Sequence, residues 1–417
     1  MRSLSFALAI LSTSGSVGCA SIAAIDAKAP EALQAPADLP ESARLDVALI
    51  EFDPGLPAPG EPIPEDVYPE IRQAEAKLLP VLLKHTLEKS GQWGSVGVLP
   101  DEPIASDVIV RATILHSTGR ELRLLVEVSD ASGRSWFKRI YENEVPAGAY
   151  GTSDRRLDPH QPMANTIANA MVEARSELDA KELAEIPTIS ELQFAAQLSP
   201  EVFDGYLRTD ERGRVEIVRL PARDEPMLQR VAEVRLRDEM FTDTLGVRYQ
   251  NFSTQLEPHY WRWREASSSE ILAEEALRRE QIARGAATAL TLAAIGLTGA
   301  FFGTPEVIAA AVAGAAIIQY QMQIVSSLGK QREMHQEGLR ELAESFQSEV
   351  GPMVVELEST AVRLQGTAQA QYQEWQRLLR DVYRAENAMI SDVYMLPRQP
   401  TEEIWIGDNT LPPVALP

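Results

Sequence analysis

The 417-residue chain holds one cysteine and five histidines, and their spacing limits the chemistry open to them. His85, His116, His160, His259 and His335 are too scattered to make an HExxH or HxH metal site. His85 and His335 fall among charges on segments that read as helices, where a solvated imidazole is expected, and His116 ends a strand-like run. Asp101-Glu102 and Glu274-Glu275 are adjacent carboxylates, which on a loop or a helix read as solvated faces rather than as an acid–base pair. Asp53 and Asp130 sit in turn sequences, where aspartate caps backbone amides. No GxSxG elbow, Walker A loop or GxGxxG stretch occurs, and Gly94-Ser95-Val96-Gly97 is too short to be an elbow. The densest constellation is His259-Tyr260-Trp261-Arg262-Trp263-Arg264. Its rings and guanidinium groups could stack on a glycan strand or sit at a membrane interface. On the structural alternative, Tyr260 and Trp263 extend a core stripe from Leu256 while Trp261 faces elsewhere. The sequence therefore carries no expectation of a catalytic set, a metal site or a cofactor.

The lone cysteine excludes a disulfide framework, a thiolate zinc site and a CxxC redox pair. Its position gives it another use. Met1-Arg2-Ser3, an apolar run from Leu4 to Leu11 and small residues up to Ser16-Val17-Gly18 precede Cys19. A basic start, a short apolar run and a small-residue cleavage site make an export signal, and the apolar run is far shorter than the roughly 20 residues that a span requires. With cysteine directly after Gly18, residues 1–18 resemble a bacterial lipoprotein signal. That resemblance implies that Cys19 is lipidated and becomes the first mature residue. Ala20, in place of the aspartate that favours inner-membrane retention, implies the periplasmic face of the outer membrane. Residues 19–43, rich in Ala and Pro, read as a tether.

The net charge of −22 argues against nucleic acid as a partner, because no basic surface is available to release phosphate counterions. With 45 % hydrophobic and 24 % charged residues the composition is that of a folded chain, long enough for two or three units. Leu45–Phe52 is a β-prone run closed by Asp53-Pro54-Gly55. A helical pattern follows through Ile71, Ala74, Leu78, Val81, Leu82 and Leu87, ended by Ser90-Gly91. Strand signals recur at 96–99, 107–115, 121–128 and 135–141, and 163–184 is helical again. The order β-α-β-β-β-β-α over residues 44–185 predicts a small sheet layered with helices, an α+β domain.

Ser90-Gly91-Gln92-Trp93-Gly94-Ser95-Val96, then Ser106-Asp107-Val108-Ile109-Val110, then the Asp130-Ala131-Ser132-Gly133 hairpin, are similar to the periplasmic domain shared by the curli-secretion lipoprotein and the TolB amino-terminal domain. The resemblance implies protein binding and oligomer building, and brings no catalytic residues. The alternating amphipathic hairpins that a secretion β-barrel would need are not found in residues 44–184.

Residues 186–395 read as a mostly α-helical, elongated hairpin or bundle, with 396–417 as a tail. Gly213–Leu220 alternates as a lone strand would. A long helix is expected from Asp224-Glu225-Pro226, with a stripe through Phe241, Leu245, Tyr249, Phe252 and Leu256 and a kink at Pro258. A returning helix carries a seam from Leu342, Phe346, Val350, Met353 and Leu357 on to Leu378 and Val382, with a second kink at Pro352. Between the arms, 285–305 holds no charge for 21 residues and 307–329 none for 23. Phe301, Phe302, Gly303 and Pro305 mark the turn, and Gly296, Gly299 and Gly314 permit close helix contact. Three uses of the 285–328 apex stay open: a buried core hairpin, insertion into a bilayer, and packing against other copies. The expectation for the whole is a non-catalytic envelope scaffold or assembly factor. Its partners would be envelope proteins and itself, with a membrane-inserting component as the alternative and a cell-envelope hydrolase third.

Overall fold

The computed structural model describes residues 21–25, 31–40, 43–64, 66–151, 158–222, 225–301 and 305–395, with the backbone alone for 21–25, 151, 285–326, 328, 329, 332, 365, 367–369, 371, 372, 375, 376, 383 and 386–395. Five strands follow the expected order around one helix: β2 (Val47–Ile50), α1 (Pro69–Ser90), β3 (Val96–Leu99), β4 (Val108–Ser117), β5 (Glu121–Asp130) and β6 (Ser135–Glu144). β4, β5 and β6 form an antiparallel meander, while β2 lies parallel between β4 and β3. Alternation of buried and half-buried residues along β4 and β5 leaves one sheet face for the core. Pro69 opens α1, and Gly91 closes it at φ 66° in the left-handed region.

Ser21–Ile25 forms an edge strand, β1, parallel to β6. Farther along the expected tether, the Leu33 amide donates to Asn169 Oδ1 (2.8 Å) and the Ala35 amide to the Ser90 carbonyl (2.8 Å). The Ala/Pro-rich stretch is therefore docked along much of its length, since its backbone groups find partners on α1 and the next helix. Cys19 lies outside the described residues.

The expected single helix over 163–184 is two: α2 (Gln161–Ser176) and α3 (Ala180–Leu198). Asp179 separates them by accepting from the Glu182 amide (2.8 Å) while the Glu182 carboxylate accepts from the Asp179 amide (3.1 Å). The boundary expected at 185/186 falls inside α3, which runs through Pro187 and carries Ile186 and Ile189 into the sheet core. A short helix, α4 (Pro200–Phe203), leads to a hairpin of β7 (Leu207–Thr209) and β8 (Val215–Ile217), so the lone strand has a partner.

Two helices complete the chain, α5 (Pro226–Phe301) and α6 (Pro305–Met395), each unbroken through its internal proline, Pro258 and Pro352. They run antiparallel in one register. Met227 shares a cluster with Leu379, and Leu245 with Ala361. His259 bonds Glu349, Trp263 meets Phe346 and Glu270 bonds His335, in step with α5 ending at Phe301 and α6 starting at Pro305. The seam shifts by one residue toward its end, where Leu379 is buried and Leu378 is 53 % exposed, because a 3.6-residue helix drifts against a 3.5-residue repeat.

The hairpin is not a separate body. Tyr249, Phe252, Leu256, Tyr260, Trp263, Phe346, Val350 and Leu357 belong to the same core cluster as α1 and the sheet. α1 is thus a middle layer between sheet and hairpin, which explains why Arg72, Glu75 and Lys77 on it are buried.

Candidate functional site: the joint between body and arm

Three polar nodes hold the hairpin to the body. At the first, Lys77 Nζ reaches Glu51 Oε1 (2.6 Å) and Glu358 Oε1 (3.0 Å), and the Tyr249 hydroxyl donates to Glu51 Oε2 (2.8 Å). Lys77 on α1 thereby ties Glu51, just after β2, to α6, and Tyr249 ties the same carboxylate to α5. At the second, fully buried Glu75 accepts from Ser117 Oγ (2.5 Å) and the Tyr260 hydroxyl (2.7 Å), while neighbouring Arg72 donates to the Ile114 carbonyl (2.8 Å). Burial raises the Glu75 carboxyl above its usual range, against the lowering effect of Ser117, Tyr260 and the two nearby arginines.

At the third node Arg264, 1 % exposed, makes a two-pronged bond to Asp158 (3.0 and 2.9 Å). Its guanidinium carbon lies 4.3 Å from the Tyr260 ring centre, 5.5 Å from Trp261 and 5.8 Å from Tyr150. Burial would raise the Asp158 carboxyl, but the Arg264 charge and hydrogen bonds outweigh it and hold it at about 2. His160, 1 % exposed, is lowered to about 4 by burial, with Asp158 opposing and Arg264 adding to the shift. Its Nδ1 lies 3.0 Å from Asn143 Nδ2, so the neutral ring accepts there. Close packing completes the joint. A Cβ at Gly119, in the β4–β5 turn, would lie 2.6 Å from the Ser268 amide nitrogen.

The aromatic constellation is placed by this joint. Tyr260 and Trp263, 2 % and 4 % exposed, stack on each other at 6.0 Å within the main core, continuing the Leu256 stripe. Trp261 points into a separate cluster with Val145 and Tyr150, edge-on to the Tyr150 ring at 5.5 Å. None of the three is free to grip a glycan or a bilayer in this arrangement. The remaining expectations divide. Asp53 and Asp130 accept from the Gly55 and Ser132 amides (2.8 and 2.9 Å), as turn caps do. Glu102 takes Arg111 (2.6 Å), Glu275 takes Arg120 (3.2 Å) and Arg279 (3.0 Å), and Glu274 accepts from Gln336 (3.4 Å), so each of these three acids has partners of its own. His335 is not a solvated imidazole but bridges the arms to Glu270, and His259 does the same to Glu349 (2.5 Å).

Phe302 and Gly303 lie outside the described residues, and Gly296, Gly299, Phe301, Pro305 and Gly314 are placed as helical backbone only. Among the residues whose side chains are described, no helical stretch is long and apolar enough to cross a membrane, and the apex is not among them. Among the described residues no group of His, Cys, Asp or Glu could hold a metal ion. Arg264–Asp158 and Glu75–Tyr260 were not legible in sequence, because their partners lie far away along the chain. A signal existed for Glu75 alone: it falls beside Ala74 and one turn after Ile71, on the stripe of α1 that must be buried. No protein family, characterised protein or solved structure was found to match the chain.

Proposed function

We propose that the protein is a non-catalytic scaffold of the bacterial envelope, lipid-anchored through Cys19 at the periplasmic face of the outer membrane. The observation that carries this reading is the long helical arm. α5 runs on from Glu275, its ion pair with Arg120, to Phe301, a distance of about 40 Å at 1.5 Å per residue. The three polar nodes join the base of the arm to the body, which suits a spacer that holds partners at a set distance. The short motifs at Ser90–Val96, Ser106–Val110 and Asp130–Gly133 resemble those of the curli-secretion and TolB-like domains, and in this reading the α+β body supplies a second protein-binding surface. Partners are envelope proteins and other copies of the chain.

Crosslinking with mass spectrometry on intact envelopes tests the proposal. Recovery of envelope proteins linked to the arm or the sheet supports it, and a chain recovered only as an unlinked monomer opposes it. Loss of the membrane fraction in Cys19→Ala is the expected sign of the anchor.

A second reading assigns the apex to a bilayer, because the two charge-free stretches meet at the tip of the projecting arm. In that case Cys19→Ala, exported with a cleavable signal, stays with membranes after carbonate extraction. Full release into the supernatant sinks this second reading.

A further inference from the structure

A lipid on Cys19 leaves the body almost no slack. β1 begins at Ser21, two residues after Cys19, and two residues span at most about 7 Å. Ser21 pairs with Arg139, Arg139 with Val126 and Val126 with Ala112, so the chain joins the sheet about halfway along its strands. It joins at an edge, since β1 is the outermost strand beside β6. That strand, Ser-Ile-Ala-Ala-Ile, carries neither the charge nor the proline that usually blunts an exposed edge. The opposite edge strand, β3, is covered by α5, where a Cβ at Gly97 would lie 2.7 Å from the Thr242 methyl carbon.

The course of α5 follows from its contacts with the body. Thr242 lies against Gly97, Tyr249 bonds Glu51 just past β2, and Tyr260 bonds Glu75, the partner of Ser117 at the end of β4. Ser268 then meets Gly119, and Glu275 pairs with Arg120. These contacts climb in the direction in which β1, β2, β4 and β6 run, so the base of the arm is aligned with the strands. Two perpendicular poses fail on this geometry. With the strands upright and the arm pointing away from the bilayer, Ser135 at the β5–β6 turn lies four residues, about 13 Å, nearer the lipid than Ser21. Cys19 reaches only about half that far, so Arg134 and its partner Glu182 would be driven toward the hydrocarbon. In the inverted pose Glu144, Arg120 and Glu275 enter the lipid, and the charged base of the arm follows them.

We propose that the body lies with its β1 edge on the lipid surface that holds Cys19, with its strands and the arm running along that surface. The inference rests on the lipid anchor of the scaffold reading. It puts the tip of the arm beside the anchoring membrane and not across from it.

Energy transfer from a labelled full chain to the bilayer tests this pose. The lipidated protein is reconstituted in vesicles of phosphatidylethanolamine and phosphatidylglycerol that carry a headgroup-linked acceptor. With Cys19 acylated, Val247→Cys or Ile282→Cys gives one free thiol for the donor, at exposed sites about 50 Å apart along α5. The expected result is transfer at both sites, differing by less than about twofold, because neither end of this 50 Å stretch rises from the surface. An insertion of about twelve Gly/Ser residues between Ala20 and Ser21 should lower transfer at both sites, since it frees the edge from the lipid. Transfer at one site alone, transfer at neither, or no effect of the insertion overturns the proposal. A purified chain without an acyl group on Cys19 sinks the anchor reading and this pose with it. An acylated chain that stays with the vesicles but shows no transfer at Ile282→Cys sinks the pose alone.

Discussion

Replacing Asp158 by alanine leaves the Arg264 guanidinium buried without its counter-ion, and the expected loss of stability is about 3–5 kcal/mol. Replacing both, as Asp158→Ala with Arg264→Met, removes the uncompensated charge and should recover a large part of that loss. Denaturant unfolding of the four members of the cycle measures the coupling. His160 sets a pH dependence of definite sign. Its folded value, about 4, lies below the unfolded value of roughly 6.5, so the unfolded chain takes up the proton first. Stability contributed by the neutral ring is full above pH 6.5 and declines as pH falls toward 4, by about 3 kcal/mol in all. Asp158 adds its own loss only below about pH 4, as pH falls toward its folded value of about 2. His160→Gln should flatten the melting-temperature profile between pH 6.5 and 4, and an unchanged slope would place the titration elsewhere. Glu75 works in the reverse sense: its raised carboxyl is most stable protonated, so stability falls as pH rises past the unfolded glutamate value.

At the scale of elements, the joint depends on close approach as much as on charge. Gly119→Ala places a methyl group against the backbone of α5 at Ser268, where no rotamer change relieves it. The expected loss is about 2 kcal/mol, with the arm prised from the β4–β5 turn, seen as faster amide exchange around 264–268. Asp179→Ala removes the cap of α3 at a loss of about 1 kcal/mol, and its effect should be confined to α3. These cases mark what the sequence made legible. The starts of β2 and of α5 at Pro226, the order of strands and the stripe from Phe241 to Trp263 follow from local pattern, because period and turn chemistry act over a few residues. The split between α2 and α3 also had a local signal, Asp179-x-x-Glu182, overshadowed by apolar periodicity on both sides. The docking of α1 between sheet and hairpin had none. It is set by pairs such as Lys77 with Glu358 and Tyr260 with Glu75, which only tertiary packing brings together.

On the scale of the whole molecule, the uniform register of α5 and α6 turns arm length into a quantity that can be varied without touching the joint. Residues 277–283 of α5 face 323–329 of α6, beyond the Glu270–His335 pair. Deleting both heptads removes two turns from each arm, keeps every remaining pair in step and brings the tip about 10 Å nearer the body. Deleting 277–283 alone strands two turns of α6 at the tip without a facing helix. The matched variant should melt within a few degrees of the parent and resist limited proteolysis equally well, whereas the unmatched one should be clipped near residues 305–311. If the arm works as a spacer, the matched variant remains folded and anchored but loses its apex crosslinks to envelope partners, while crosslinks from the sheet domain persist. Retention of the apex crosslinks by the shortened arm would show that reach is not what the long helices provide.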